Sequence, residues 1–188
     1  MIESLLRLKD EEIILKIKNE NSSKYFEVLY RRYQEKVMDK CFSFVKNRSV
    51  AEELTEDIFS KVFEKLPSVK QLSSFSSWLY TLTYNHCIDY LREKKKLHYP
   101  NWSRENELPE IMDDSEGLVD EINYDNFLKI LELIHPEEKA LLFMKYKDDL
   151  PMKQVAAALG ISEDAAKMRL KRARTRVRFL YTQLYPPA

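Results

Sequence analysis

The sequence predicts an all-α protein made of two small helical domains joined by a flexible acidic linker, the second domain containing a helix-turn-helix. Three observations carry this. Apolar residues recur at helical spacing along most of the chain, with no sustained alternation of the kind a half-buried strand needs. Glycine occurs only twice, at Gly117 and Gly160. Between residues 98 and 117 the helical stripe gives way to prolines and acids, the composition of a linker. These divide the chain into residues 1–97, 98–117 and 118–188.

The elements follow in order. Asp10 is placed to cap a short helix through Lys18, which the polar cluster "NENSS" breaks. Ser22 or Ser23 can cap the next, from Lys24 to about Val45, and "KNRS" ends it. Ser49 with Glu52 three residues on reads as a capping box opening a third helix. In it Leu54, Ile58, Val62 and Leu66 keep one stripe, and Pro67 marks the end. The loop "PSVKQLSS" leads into a long helix from about Phe75 to Lys96. Beyond the linker, periodicity resumes near Leu118 with "LVDEINYDNFLKILELI". Pro136 opens "PEEKALLFMKY", "KDDLP" turns the chain, and Pro151 suits the first turn of a helix ending at Gly160.

Totals exclude several classes. With 44% hydrophobic residues and 20 Phe and Tyr among 188, the chain has material for real cores. Two glycines cannot write a phosphate loop or a dinucleotide fingerprint. Residues 1 to 30 carry no signal-peptide pattern. No apolar run approaches the ~20 residues of a membrane span, so a cytoplasmic location without direct membrane insertion is expected. Cys41 and Cys87 stand as two unclustered thiols, suited to a reducing compartment. His86, His98 and His135 have no ligand spacing with either, and Glu52, Glu53, Glu56 and Asp57 have no His nearby. No metal, cofactor or enzymatic site is therefore expected.

Charge is balanced overall, 31 Lys plus Arg against 31 Asp plus Glu, yet it is segregated. Five basic residues and one acid occupy Arg92 to Arg104, then nine acids and no Lys or Arg occupy Glu105 to Asp125. Seven basic side chains then crowd the twelve positions from Lys167 to Arg178. This layout favours two nucleic-acid-facing surfaces on either side of an acidic tether.

The second basic block has helix-turn-helix grammar: a helix, Gly160 for a positive φ, Ser162 as cap, then another helix. Ala156 is expected where the two helices press closest. Ala166, Leu170, Ala173, Val177 and Leu180 form a buried stripe. At 100° per residue, Lys167, Lys171, Arg174 and Arg178 fall on one flank, and Arg169, Arg172 and Arg176 on the other. Asp164, Met168, Lys171 and Thr175 lie along the outer ridge. A helix with basic rows on both flanks can touch phosphates on either side of a major groove. Glu163 and Asp164 also complement the helix dipole.

The helix from Phe75 is unusually aromatic, with Phe75, Trp78, Tyr80, Tyr84 and Tyr90. Thr81, Asn85, Asp89 and Arg92 align beside Trp78, and Lys94, Lys95 and Lys96 follow. Aromatic faces beside cations can hold unstacked bases. Core packing and an Asp89–Arg92 intrahelical pair account for the same spacing, so the residues alone leave both readings open.

Three segments, "AEELTEDIFSKVFEKL", "FSSWLYTLTYNHCIDYLREKKK" and "LGISEDAAKMRLKRARTRVR", resemble bacterial RNA polymerase sigma factors of the extracytoplasmic-function (ECF) group, in that family's order and spacing. The resemblance implies a non-catalytic protein that binds core RNA polymerase and directs it to promoter DNA. By it, Glu52, Glu53, Glu56, Asp57, Phe59 and Val62 dock on the polymerase clamp. The loop from Ser68 to Ser76 and the helix after it, with Ser73, Ser74, Phe75, Trp78, Thr81, Asn85, Arg92, Lys94 and Lys95, open the minus-ten element. Ser162, Glu163, Asp164, Lys167, Met168, Arg169, Lys171, Arg172, Arg174 and Arg178 meet the minus-thirty-five duplex. It further implies an anti-sigma partner. The linker's acids can follow the RNA exit path as RNA would, or form a soluble tether.

The chain departs from the family in three places. Pro151 and Gln154 stand where a Ser or Thr cap and a Glu are usual. Asp164, Ala165 and Ala166 replace Gly-Thr-Val. Met168 replaces a small polar residue, and its thioether can meet a thymine methyl but reads no donor–acceptor code. A stand-alone two-domain regulator would explain the helix-turn-helix but leave "AEELTEDIF" and the aromatic helix unexplained.

Overall fold

A computed structural model describes residues 5, 7–20, 23–69, 74–95 and 123–186, apart from the side chain of Lys95. The acidic segment 98–117, Ser22, Ser73, Lys96 and residues 118–122 lie outside the described residues. Every regular element among those described is helical. The chain divides into two units, Met1–Leu91 and Arg92–Ala188.

The first unit is built on four helices: α1 (Asp10–Glu20), α2 (Ser23–Val45), α3 (Arg48–Lys65) and α4 (Phe75–Lys95), with a 3-10 turn at Leu66–Ser68. Helix α1 turns Ile13, Ile14 and Ile17 inward. Asp10 does not cap it. Its carboxylate accepts from the Arg32 guanidinium and the Tyr33 hydroxyl of α2, and Glu12 reaches back to the Lys9 N–H at 2.8 Å. Asp10 is already the first residue of the helix, and its side chain is turned to α2.

The start of α3 also differs from expectation. Asn47, extended at φ −134°, ψ 122°, accepts the Val50 N–H at 3.1 Å. Ser49 is already inside the helix, and Glu52 pairs with Arg48 at 3.0 Å. The asparagine wins because an N-cap needs non-helical backbone with a short acceptor side chain, and Asn47 has both. The stripe Leu54, Ile58, Val62 and Leu66 is fully or nearly buried. Ser74 Oγ accepts the Ser77 N–H at the head of α4, which buries Phe75, Leu79, Thr83, Tyr84, Cys87, Ile88 and Leu91. The cysteines are not scattered after all. Cys41 of α2 and Cys87 of α4 meet in the core, Sγ to Sγ 3.7 Å.

The second unit comprises α5 (Tyr124–Leu131), α6 (Pro136–Leu142), α7 (Met152–Leu159) and α8 (Glu163–Leu184). Asn123 caps α5 by accepting two backbone N–H groups. His135 caps α6: its Nδ1 accepts the Glu137 N–H at 3.2 Å, and Glu138 accepts the His135 N–H at 3.4 Å. After Leu142 the helix widens into a π-turn, Phe143–Lys147, closed by Asp148 N–H on the Phe143 carbonyl. Pro151 stands one place earlier than expected, as N-cap of α7 rather than in its first turn.

Gly160 ends α7 at φ 65°, and the Ile161 N–H returns to the Ala156 carbonyl. A Cβ on Gly160 would meet no atom within 4 Å, so only the left-handed backbone demands glycine there. Ser162 Oγ then accepts the Ala165 N–H at 3.1 Å and starts α8. Ala173 and Val177 pack against Ile130, Leu131, Ile134 and Leu142, with Leu170 and Leu180 at the margin, and Ala166 is fully buried. Ala156 of α7 is 3% exposed.

Candidate nucleic-acid interface

Helix α8 presents an outer ridge because its inner stripe is committed to the core. Asp164, Lys167 and Lys171 are exposed, Met168 retains 51% of its surface, and Thr175 is partly covered. Lys167 pairs with Glu163 at 2.9 Å, which raises the lysine's pKa. Ser162 spends its hydroxyl on the cap. Thr175 Oγ1 bonds back to the Lys171 carbonyl at 3.0 Å. Arg172, Arg174 and Arg178 are partly exposed. Arg169, expected among the duplex-facing residues, is instead an ion-pair partner of Glu137, Nη1 to Oε2 2.9 Å.

On α4, Trp78, Thr81 and Asn85 share one partly exposed face that continues to exposed Asp89. Arg92, expected to face the minus-ten strand, is partly exposed but donates from Nε to Glu137 Oε1 at 2.9 Å; Lys94 is exposed, and Ser73 and the Lys95 side chain lie outside the described residues. Ser74 is occupied as a cap and lies 3.0 Å from Ser76 Oγ. Phe75 departs from expectation. It is 2% exposed and packs edge-on against Tyr33 at 5.2 Å, with the Trp78 ring tilted toward it at 6.0 Å. A ring enclosed this way is core, whereas Trp78 stays partly exposed.

On α3, Glu52, Glu53, Glu56 and Asp57 are exposed. Phe59 and Val62 are not, at 3% and 0%, which removes them as contact residues. Phe59 lies 4.8 Å from the Tyr30 ring and 6.4 Å from Phe26; both residues extend the buried stripe. The apolar surface there is Phe63, 53% exposed and edge-on to Phe26 at 5.1 Å. It falls off the Leu54–Leu66 stripe, on a face where a surface helix normally carries polar residues, and that misplacement was its signal. A cleft of about 180 Å³ between α2 and α3 is lined by Tyr30, Gln34, Glu35, Met38, Glu52, Thr55 and Glu56. Its α2 wall was missed because nothing in the local pattern of α2 marks those residues.

Behind Asp57, Lys61 Nζ lies 2.7 Å from His86 Nδ1 and Asp57 Oδ2 lies 3.6 Å from Nε2. A lysine ammonium only donates, so Nδ1 accepts and the ring proton sits on Nε2, toward the carboxylate. No group of three or more His, Cys, Asp and Glu suited to a metal ion occurs among the described residues.

Two family models match the chain. Sigma-70 region 2 matches residues 29–97 and Sigma-70, region 4 matches residues 124–177. Among curated relatives, the RNA polymerase sigma factor SigV of Bacillus subtilis is 25% identical over 76% of this chain and 82% of its own length. The ECF RNA polymerase sigma factor SigW of the same organism is 26% identical over 78% and 83%. In fold, the chain is similar to CnrH, solved in complex with the cytosolic domain of CnrY, with a TM-score of 0.62 at 15% identity over 93% of this chain and 97% of that one. It is also similar to the sigma factor RpoE of Bartonella quintana, solved with the anti-sigma factor NepR, with a TM-score of 0.57 at 19% identity over 85% and 98%. The chain belongs to the sigma-70 family, in its ECF group, and directs promoter-specific transcription initiation. No helix among the described residues is long and apolar enough to cross a membrane.

Proposed function

We propose that residues 1–97 bind core polymerase and open the minus-ten element, that 98–117 tether, and that 118–188 read the minus-thirty-five element as duplex. The outer ridge of α8 carries this reading: a helix held by its buried stripe, with Lys167, Lys171 and Met168 toward solvent, can lie in a major groove between two phosphate rows. For the minus-ten element, flipping a base out of the duplex costs a few kcal/mol, which a pocket must return by stacking and edge hydrogen bonds. Trp78 supplies a stacking face, and Thr81 and Asn85 supply donors and acceptors beside it.

The docking surface on core polymerase is the carboxylate row Glu52, Glu53, Glu56 and Asp57 together with the α2–α3 cleft and Phe63. Carboxylates around an apolar floor suit a helical partner with basic edges. The protein acts in the cytoplasm, where polymerase and promoter are, by binding rather than by catalysis. An anti-sigma partner, such as the NepR that accompanies RpoE, is part of this reading.

Run-off transcription from genomic fragments, using core polymerase with and without the chain, tests the proposal. New start sites that require the chain are expected. Failure to associate with core polymerase, or unchanged start sites, would refute it.

A further inference from the structure

The seven basic side chains of 167–178 look equivalent in sequence, and the structure separates them. At 100° per residue Arg169 and Arg176 fall within about 20° of each other, next to the buried stripe, while Lys171, Met168 and Thr175 point away from it. Arg176 Nε lies 3.1 Å from Glu138 Oε2 and 3.3 Å from Oε1. Arg169 Nη1 donates to Glu137 Oε2 at 2.9 Å. Both carboxylates belong to the first turn of α6 and are 2% and 1% exposed, against 25% and 27% for their arginines. Glu138 is further fixed by the His135 N–H. Burial raises its pKa, and Arg176 counters that as the strongest opposing influence.

We propose that Arg169 and Arg176 anchor α8 to α6 and do not contact DNA, and that Glu138, with Glu137 beside it, is a positioning residue that sets which face of α8 meets the duplex. The inference rests on the reading of α8 as a duplex-binding helix. A guanidinium shared between two oxygens of a buried carboxylate would have to strand that charge to reach a phosphate, and an uncompensated buried carboxylate is strongly unfavourable. Two of the seven cations are thereby matched inside the unit, which leaves at most five for phosphates. A cation that stays on a buried carboxylate releases no DNA counterion, unlike one in an exposed pair, so the assignment is visible in salt dependence.

The test measures binding of the full chain to a mixed-sequence duplex of about 40 base pairs by fluorescence anisotropy across a salt series. Lys171→Gln lowers the slope of log affinity against log salt by roughly one unit. The double variant Glu138→Leu with Arg176→Met removes the pair as a unit and leaves the slope unchanged. Glu138→Leu alone frees Arg176, so the slope steepens by up to about one unit while circular dichroism stays native; a purely stabilising role would not produce that change.

A drop of about one unit in the double variant overturns the anchoring role and leaves the DNA reading standing. An unchanged slope for Glu138→Leu overturns the positioning role. No effect of Lys171→Gln refutes the DNA reading itself. Should the variants not fold, nitrogen-15 spectra of the unmodified chain decide: the Arg176 Nε–H signal stays put on adding the duplex, and a shift overturns the proposal.

Discussion

Asn47 and Gly160 each do one job that no neighbour can take over. The Asn47 side chain satisfies one of the orphan donors of α3, and caps of this kind contribute ~1 kcal/mol. Asn47→Ala should lower the stability of the first unit by about that amount, and Ser49→Ala, already inside the helix, by much less. Urea unfolding followed by Trp78 fluorescence in a Trp102→Phe background separates the two; equal effects would return the cap to Ser49. At Gly160 space is free and only φ is demanding. Gly160→Ala should therefore cost about 1–2 kcal/mol, the price of a left-handed L-residue, and Gly160→Asn less, because Asn tolerates that region. A thermal unfolding series that ranks Asn below Ala would show that something other than backbone strain is at work.

Helices α3 and α4 are tied by a pH-sensitive contact. Burial holds the His86 imidazole below its ordinary range; Lys61 pushes the same way, and Asp57 and Asp89 oppose. The unfolded chain then binds the extra proton more readily than the folded one below the unfolded value of about 6.5. Stability is complete above that pH and falls as pH drops toward the folded value. His86→Gln should flatten this fall in chemical unfolding midpoints between about pH 7.5 and 5.5, and an unchanged pH profile would remove the contact from the account.

At this scale the legible and the illegible part company. The α3 stripe, the Gly160–Ser162 turn and the α8 stripe were legible because period, φ and cap are local properties of the chain. That Phe59 and Phe75 are interior was not, since an aromatic at the edge of an apolar stripe faces core or solvent according to what packs on it. The meeting of Cys41 and Cys87 spans 46 residues and leaves no local trace. Arg169 and Arg176 read as surface cations because their partners lie 32 and 38 residues away. The π-turn after Leu142 was read as continuous helix, its apolar spacing being nearly the same.

For the molecule as a whole, neutral charge that is nonetheless segregated along the chain suits the proposed reading, in which two separate surfaces act in successive steps. On that reading, duplex contact through α8 depends on phosphates and salt, and strand opening through α4 depends on capturing an unstacked base. Those steps can be uncoupled. Asn85→Ala in the reconstituted holoenzyme should reduce run-off transcription from a closed promoter far more than it reduces duplex binding, and a template already melted across the minus-ten element should restore most of the loss, because the unstacking cost has then been met by the template. Lys171→Ala should behave in the opposite way, weakening promoter binding at moderate salt whether or not the template is melted. If melting rescues both variants or neither, α4 and α8 do not divide the work between opened strand and intact duplex.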